Sequence, residues 1–189
     1  MCPLRCRRTG ILLTEETDGQ RVKETRMKLK VLLIVCLSCL GISLPAQYYA
    51  TSSSLNMDGA LKLAQEAVSE ARKMDKNVSV AVLDATGTTL LLLKGDGVGP
   101  HNTEASRRKA YTAVSTKNAT WELMQKAAAD PTSTNLTTLP ELLLLGGGVP
   151  VWAEGKLIGS IGVSGGGGGW NDHEIASRAI VNLGFKVSL

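Results

Sequence analysis

The sequence predicts an α+β domain in which an antiparallel sheet, assembled from two hairpins, is covered by helices. Three observations carry this reading. Apolar residues between Met57 and Met74 recur at helical spacing; two pairs of β-branched or leucine-rich runs flank short glycine turns; and two helical stretches separate the hairpins, so repeated βαβ crossovers are not indicated.

The elements follow in order. Asn56 can cap a helix whose Met57, Ala60, Leu61, Ala64, Val68, Ala71 and Met74 share one face. Val78 to Asp84 and Thr88 to Lys94 read as strands about the turn Ala85-Thr86-Gly87. After the loop Gly95 to Pro100, Asn102 or Thr103 can cap a helix through Ala105, Ala110, Ala113 and Val114. Thr120 can cap a shorter helix with Trp121, Met124 and Ala128, stopped by Asp130-Pro131, and Thr132 to Thr138 is polar and expected to be mobile.

Leu142 to Leu145 is too short and too uniformly apolar for its pattern to separate helix from strand. Gly146 to Gly165 reads as a second hairpin turning at Glu154-Gly155-Lys156, with glycines at Gly159, Gly162 and Gly165 where a backbone can bend or approach a ligand. Gly165 to Gly169 then leads into a last helix, for which Asn171 and Glu174 have capping-box spacing and Gly184 is the expected C-terminal stop.

Upstream, Met27-Lys28-Leu29-Lys30, the uncharged run Val31 to Leu44 and Leu44-Pro45-Ala46 have the order of a secretory signal peptide, with cleavage expected after Ala46. Residues 1–26 are polar and read as an upstream extension or as the product of a start upstream of Met27; their acids Glu15, Glu16, Asp18 and Glu24 argue against a transit peptide. The expected domains are therefore 1–26, the signal peptide 27–46 and a single domain 47–189, exported to a periplasmic or extracellular compartment.

All four cysteines, Cys2, Cys6, Cys36 and Cys39, precede Gln47. The exported part then has no disulfide, thiolate metal site or cysteine nucleophile. Eight basic and four acidic residues also precede Gln47, leaving 13 of each in the domain. A formally neutral domain lacks the cationic footprint of nucleic-acid binding. The five-glycine run has no following Lys-Ser/Thr for a phosphate loop and stands in no βαβ unit, and Ser164 lacks a nucleophile-elbow pattern.

Four segments together carry a family resemblance: Val80 to Gly87 after the first helix, Ser106 to Ala113, Gly146 to Pro150, and Ile158 to Gly165 with Asp172-His173-Glu174 beyond it. In these the chain resembles the GlcG/HbpS haem-binding family, itself similar to the C-terminal domain of PduO-type cobalamin adenosyltransferases. The resemblance spans nearly all of residues 47–189. It implies a profilin-like antiparallel sheet of about five strands flanked by helices, assembly into oligomers such as octamers, and haem as ligand. It further implies a membrane sensor kinase as partner in some members, and a place beside glycolate or diol metabolism in others. Two departures stand out: Gly165 to Trp170 replaces a short Pro-Gly-acidic loop, and the helix Met57 to Met74 lacks the histidine that a PduO-type domain uses toward haem.

The resemblance places a threonine ligand to haem iron at Thr112. His101, at a glycine-proline loop entering a helix, is the second candidate iron donor, since neutral imidazole is a good iron ligand; read blandly it is a surface histidine beside a helix start. Arg107 and Lys109 put cations on the helix that carries Tyr111 and Thr112, which matches the two propionates and flat ring of a haem. The five residues His101, Arg107, Lys109, Tyr111 and Thr112 are thus the expected haem contacts, with Thr112 and His101 the iron donors. His173 between Asp172 and Glu174 reads as part of a helix first turn, because adjacent helical side chains point apart. The leading function is an exported, oligomeric haem or tetrapyrrole binder that buffers haem or reports it to a membrane sensor. The alternative is an enzyme or accessory of small hydroxy-acid or corrinoid metabolism working through Asp84, Lys109 and Asp172.

Overall fold

The computed structural model describes residues 15–38 and 52–189. The chain divides into two compact units at Ala50 and Thr51. In the first, α1 (Glu15–Ser38) is a single helix with exposed side chains from Arg21 to Leu32, so residues 15–26, ahead of Met27, are helical. Its Glu24 and Lys28 pair at 3.2 Å across one turn, a favourable spacing on a solvated helix. The expected cleavage point at Ala46 lies outside the described residues. Among the described residues no helix is long and apolar enough to cross a membrane.

The second unit runs α2 (Met57–Lys73), β1 (Ser79–Asp84), β2 (Thr89–Leu93), α3 (Pro100–Thr116), α4 (Thr120–Ala129), β3 (Gly148–Ala153), β4 (Lys156–Ser164) and α5 (Gly169–Asn182). The strands form an antiparallel sheet in the order β2-β1-β4-β3. This is the α+β architecture expected, with four strands where about five were anticipated. At the outer edge of β3, among the described residues, only Lys186 pairs, exchanging two 2.9 Å backbone hydrogen bonds with Trp152. That bridge is isolated and does not extend into a strand.

Side chains alternate across a strand, so the sheet sorts its residues by parity. Val80, Val82, Val149, Val151, Ile161 and Val163 join Leu63, Ala64 and Ala67 of α2 and Ile175, Ala179 and Ile180 of α5 in the main core. Ala81 and Leu83 face the other way, onto Ala110 and Val114 of α3. On that second face Gly148 and Gly162 are cross-strand partners. A methyl group on Gly162 would overlap the Ser106 carbonyl oxygen and one on Gly148 the Lys109 carbonyl oxygen, so α3 lies backbone-close against this glycine pair.

Several helix starts differ from those read in the sequence. Asn56 caps α2 as expected, its Oδ1 accepting from Gly59 N at 2.8 Å. α3 starts three or four residues early, with Gly99 as the cap before Pro100, because proline fits the first helical position. Thr120 is the first residue of α4 and its hydroxyl serves the sheet instead of the helix. α5 begins at Gly169, and the Asn171 side chain donates to Gly166 O in place of a capping box. Gly184 ends α5 in the left-handed region at φ 81°, with Phe185 N bonded to Ile180 O, as its position predicts. Thr134–Thr138 form a 3-10 turn, preceded by Asp130, whose carboxylate accepts from Thr132 N, Thr132 Oγ1 and Ser133 Oγ. Leu142–Leu145 is neither helix nor strand.

Candidate functional site

The candidate residues of α3 occupy four different environments. His101 is exposed in the first turn, its ring folded back over Gly99, where an added methyl would stand 2.9 Å from the imidazole Cε1. Gly97, Val98 and Gly99 with Asn77, Asp96, Asn102 and Gly165 line an open hollow of about 350 Å³ beside it. Tyr111 is half-buried against Gly87 and the Ala81–Leu83 cluster.

Arg107 is held by two carboxylates. Its guanidinium forks onto Glu104 at 3.1 and 2.7 Å and reaches Glu141 at 2.8 Å. The hydrogen bond to Glu104, then that to Glu141, raises its pKa further above the normal guanidinium value. Arg108 donates to Leu142 O at 2.8 Å, and Thr112 Oγ1 accepts from Leu143 N at 2.8 Å while donating to Arg108 O at 2.7 Å. Three consecutive contacts thus lay the segment Glu141–Leu143 along α3 and place Thr112 beneath it, with no exposed surface.

Lys109 is fully enclosed and is the largest fully buried side chain among the described residues. Its Nζ lies 2.7 Å from Asp172 Oδ2 and also donates to Val163 O at 3.0 Å and Ser164 Oγ at 3.3 Å. Asp172 Oδ1 accepts from Gly166 N at 2.7 Å, and Ser164 Oγ donates on to Asn102 Oδ1 at 2.9 Å. Burial pushes the ammonium pKa down and the carboxyl pKa up, and the attraction between the two opposes both shifts. The pair ties α3, β4 and α5 to the glycine run. Asp84 is elsewhere: it pairs with Gly159 in the ladder, at the opposite end of β1 from Ser79 and Ser164, and its Oδ1 accepts from Thr86 N, Thr86 Oγ1 and Thr88 N in a turn.

A second cluster escaped the sequence reading. Trp170 in the first turn of α5 meets Trp121 of α4 edge-on, ring centroids 5.2 Å apart, and lies 5.5 Å from the ring of His173. Trp170 is 49% exposed and the neighbouring Leu145 43%, so an aromatic face stands open beside an imidazole. The available signal was that Trp170 and His173 share a helix face at i, i+3. No group of three or more His, Cys, Asp or Glu side chains arranged for a metal occurs among the described residues.

The family model described as haem degrading protein HbpS-like matches residues 55–181. The chain belongs to the HbpS-like family. Its HbpS-like domain superposes on a double mutant of HbpS from Streptomyces reticuli with a TM-score of 0.68 and 37% identity, over 75% of this chain and 95% of that one. It likewise superposes on the PduOC:heme complex, with a TM-score of 0.65 and 28% identity over 72% of this chain and 99% of that one. The corrinoid adenosyltransferase PduO of Salmonella typhimurium is 29% identical over 174 residues, which is 90% of this chain and half the length of that enzyme. These relations settle the α+β, profilin-like fold of the HbpS-like domain; function has to be argued from the site.

Proposed function

We propose that this domain binds haem, or a closely related tetrapyrrole, as an exported homo-oligomer that buffers the pigment or reports it to a membrane sensor. The observation that carries the reading is the likeness to a haem complex over 72% of the chain, joined to the family match. Export rests on the signal-peptide pattern of residues 27–46.

Haem needs an apolar bed, a donor for iron and cations for its propionates. Lys109 and Thr112 do not fit those roles, because both are enclosed and their polar atoms are already engaged by protein groups. Arg107 is shared between Glu104 and Glu141. Of the α3 residues nominated by sequence, His101, Tyr111 and the carboxylate-paired Arg107 remain reachable from solvent. Haem chemistry is therefore not routed through Lys109 or Thr112; they hold the fold that presents the ligand face.

The alternative, turnover of a small hydroxy acid or a corrinoid through Asp84, Lys109 and Asp172, meets a geometric obstacle. Asp84 sits five ladder positions from the end of β4 where Lys109 is bonded, roughly 17 Å at the usual strand rise. Lys109 and Asp172 also neutralise each other inside the protein.

Titrating the purified protein with haemin tests the proposal. A saturable Soret shift at micromolar haemin is expected, and its absence overturns the reading. A stable band with peroxide or reductant present supports buffering, whereas rapid bleaching replaces buffering with degradation, the activity named in the family description. Amino-terminal sequencing of the secreted product is expected to begin at Gln47, and recovery of the unprocessed chain from the cytosol overturns export.

A further inference from the structure

We propose that the hollow between the end of α2 and the end of β2 binds a small carboxylic acid, with Arg72, Lys76 and Lys94 receiving the carboxylate and Val68, Val78 and Leu93 the apolar body. The site lies apart from the α3 candidates and does not depend on the haem reading above.

The hollow has a volume of about 230 Å³. Its floor is apolar because helix and strand meet there: Ala71 and Val78 are buried, Val68 is half-buried, and Leu93 keeps 39% of its surface exposed. An apolar ligand resting on Leu93 removes that surface from water. The three cations of the rim come from the last turn of α2, the turn that follows it and the residue after β2. Among the described residues none of the three forms a salt bridge, whereas the neighbouring Lys73 is paired with Glu70.

Local folding builds the rim. Asp75 sits in the left-handed region at φ 56°, and the N–H groups of Met74, Asp75 and Lys76 bond back to Ala71 O and Arg72 O. That reversal ends α2 and carries Lys76 and Asn77 to the hollow. Asn77 Nδ2 donates to Asp96 O at 3.0 Å and Gly95 N to Val78 O at 3.1 Å, so the two walls are tied together. Backbone donors already occupy the Ala71 and Arg72 carbonyls, and Lys94 belongs to another element, so capping of α2 does not account for the three cations.

Charge and size select the ligand. Asp96 shares the hollow, and Asp75 lines an adjoining one of about 120 Å³ with Arg72, Lys76 and Asn77. Three cations against two carboxylates leave one positive charge, which a single carboxylate neutralises and a phosphate monoester would overshoot. The planar fork of Arg72 matches the two oxygens of a carboxylate. A cavity of about 150 Å³ is enough for benzene, so this one admits a single ring or a short chain.

The test is titration of the full-length protein with benzoate at low ionic strength, followed through backbone amide chemical shifts. Acetate carries the charge without the body, and benzyl alcohol the body without the charge. Saturable shifts at Asn77, Val78, Gly95 and Asp96 are expected, with a Kd of about 1 mM or tighter and about 10-fold weaker binding of the other two compounds. Lys94 is exposed, so Lys94→Gln keeps the fold, and it is expected to weaken benzoate about 5-fold. Lys62→Gln, an exposed cation of α2 outside the hollow, is expected to change it less than about 2-fold. Shifts that do not saturate, or that lie elsewhere, overturn the assignment. Equal binding of benzyl alcohol reduces the hollow to an apolar patch, and equal weakening by Lys94→Gln and Lys62→Gln reduces the effect to overall charge; either overturns it. Failure of haemin to bind sinks the functional reading and leaves this site standing.

Discussion

Lys109 Nζ and Asp172 Oδ2 lie 2.7 Å apart with side-chain exposures of 0% and 6%, so a residue from a run of three cations is a staple inside the domain. The contact crosses 63 positions of sequence and joins the helix on one face of the sheet to the first turn of a helix on the other. Its backbone partners, Val163 O and Gly166 N, fix the exit of β4 and the start of the glycine run.

Removing one partner strands the other charge in a low-dielectric site. Lys109→Met or Asp172→Leu alone is expected to cost about 3–5 kcal/mol, while the double variant Lys109→Met with Asp172→Leu costs markedly less than the sum. Urea unfolding of the four proteins measures this, and simple additivity of the two single effects would refute it.

Gly162→Ala should act through backbone contact. The new methyl overlaps Ser106 O and comes within 2.7 Å of Ala110 N, so α3 must lift from the sheet. A loss of roughly 3 kcal/mol or more is expected, visible as a lowered Tm. A Tm within a degree or so of wild type would show that α3 can shift freely.

Thr120 Oγ1 accepts from Gly148 N at 2.8 Å and donates to Leu145 O at 2.8 Å, while the residue is fully buried. Thr120→Val keeps the shape and orphans both backbone groups, at a cost of about 1–3 kcal/mol. Amide exchange at Gly148 should accelerate at the same time; unchanged exchange there would count against the bond.

Asp84 gives a pH signature. Burial alone would raise its pKa, but hydrogen bonds from Thr86 Oγ1 and the backbone N–H groups of Thr88, Thr86 and Gly87 outweigh it and hold the carboxyl below its usual 3.8. A lowered folded-state pKa gives stability that is present above the unfolded-state pKa and disappears as pH falls through the folded one. Asp84→Asn should therefore lose on the order of 1 kcal/mol at neutral pH and flatten the decline below about pH 4. A parallel decline in both proteins would remove Asp84 from the acid response.

The elements of this fold were largely legible because they rest on local periodicity. The α2 stripe, the alternation Val80-Ala81-Val82-Leu83 and the Glu154-Gly155 turn, with φ of 51° and 75°, each encode their geometry within a few residues. Which α3 side chains turn inward was not legible. Arg107-Arg108-Lys109 reads as a solvated strip, yet successive helical residues diverge by about 100°, and Lys109 shares the inward side with Ser106, Ala110 and Ala113. That spacing was the signal missed. The meeting of Trp121 with Trp170 joins α4 to α5 across 49 positions, which no local pattern records.

The sequence by itself determined which segments are helix and strand, where glycine permits left-handed turns, the charge balance of residues 47–189 and the family to which the domain is akin. Tertiary structure alone decided that Lys109 and Thr112 face inward and that Trp170 stands half exposed against Trp121 and a partly buried His173. The physical reason is range: hydrogen-bonded elements are set by residues three or four apart or by adjacent strands, whereas burial of a charge depends on a partner brought from a distant part of the chain.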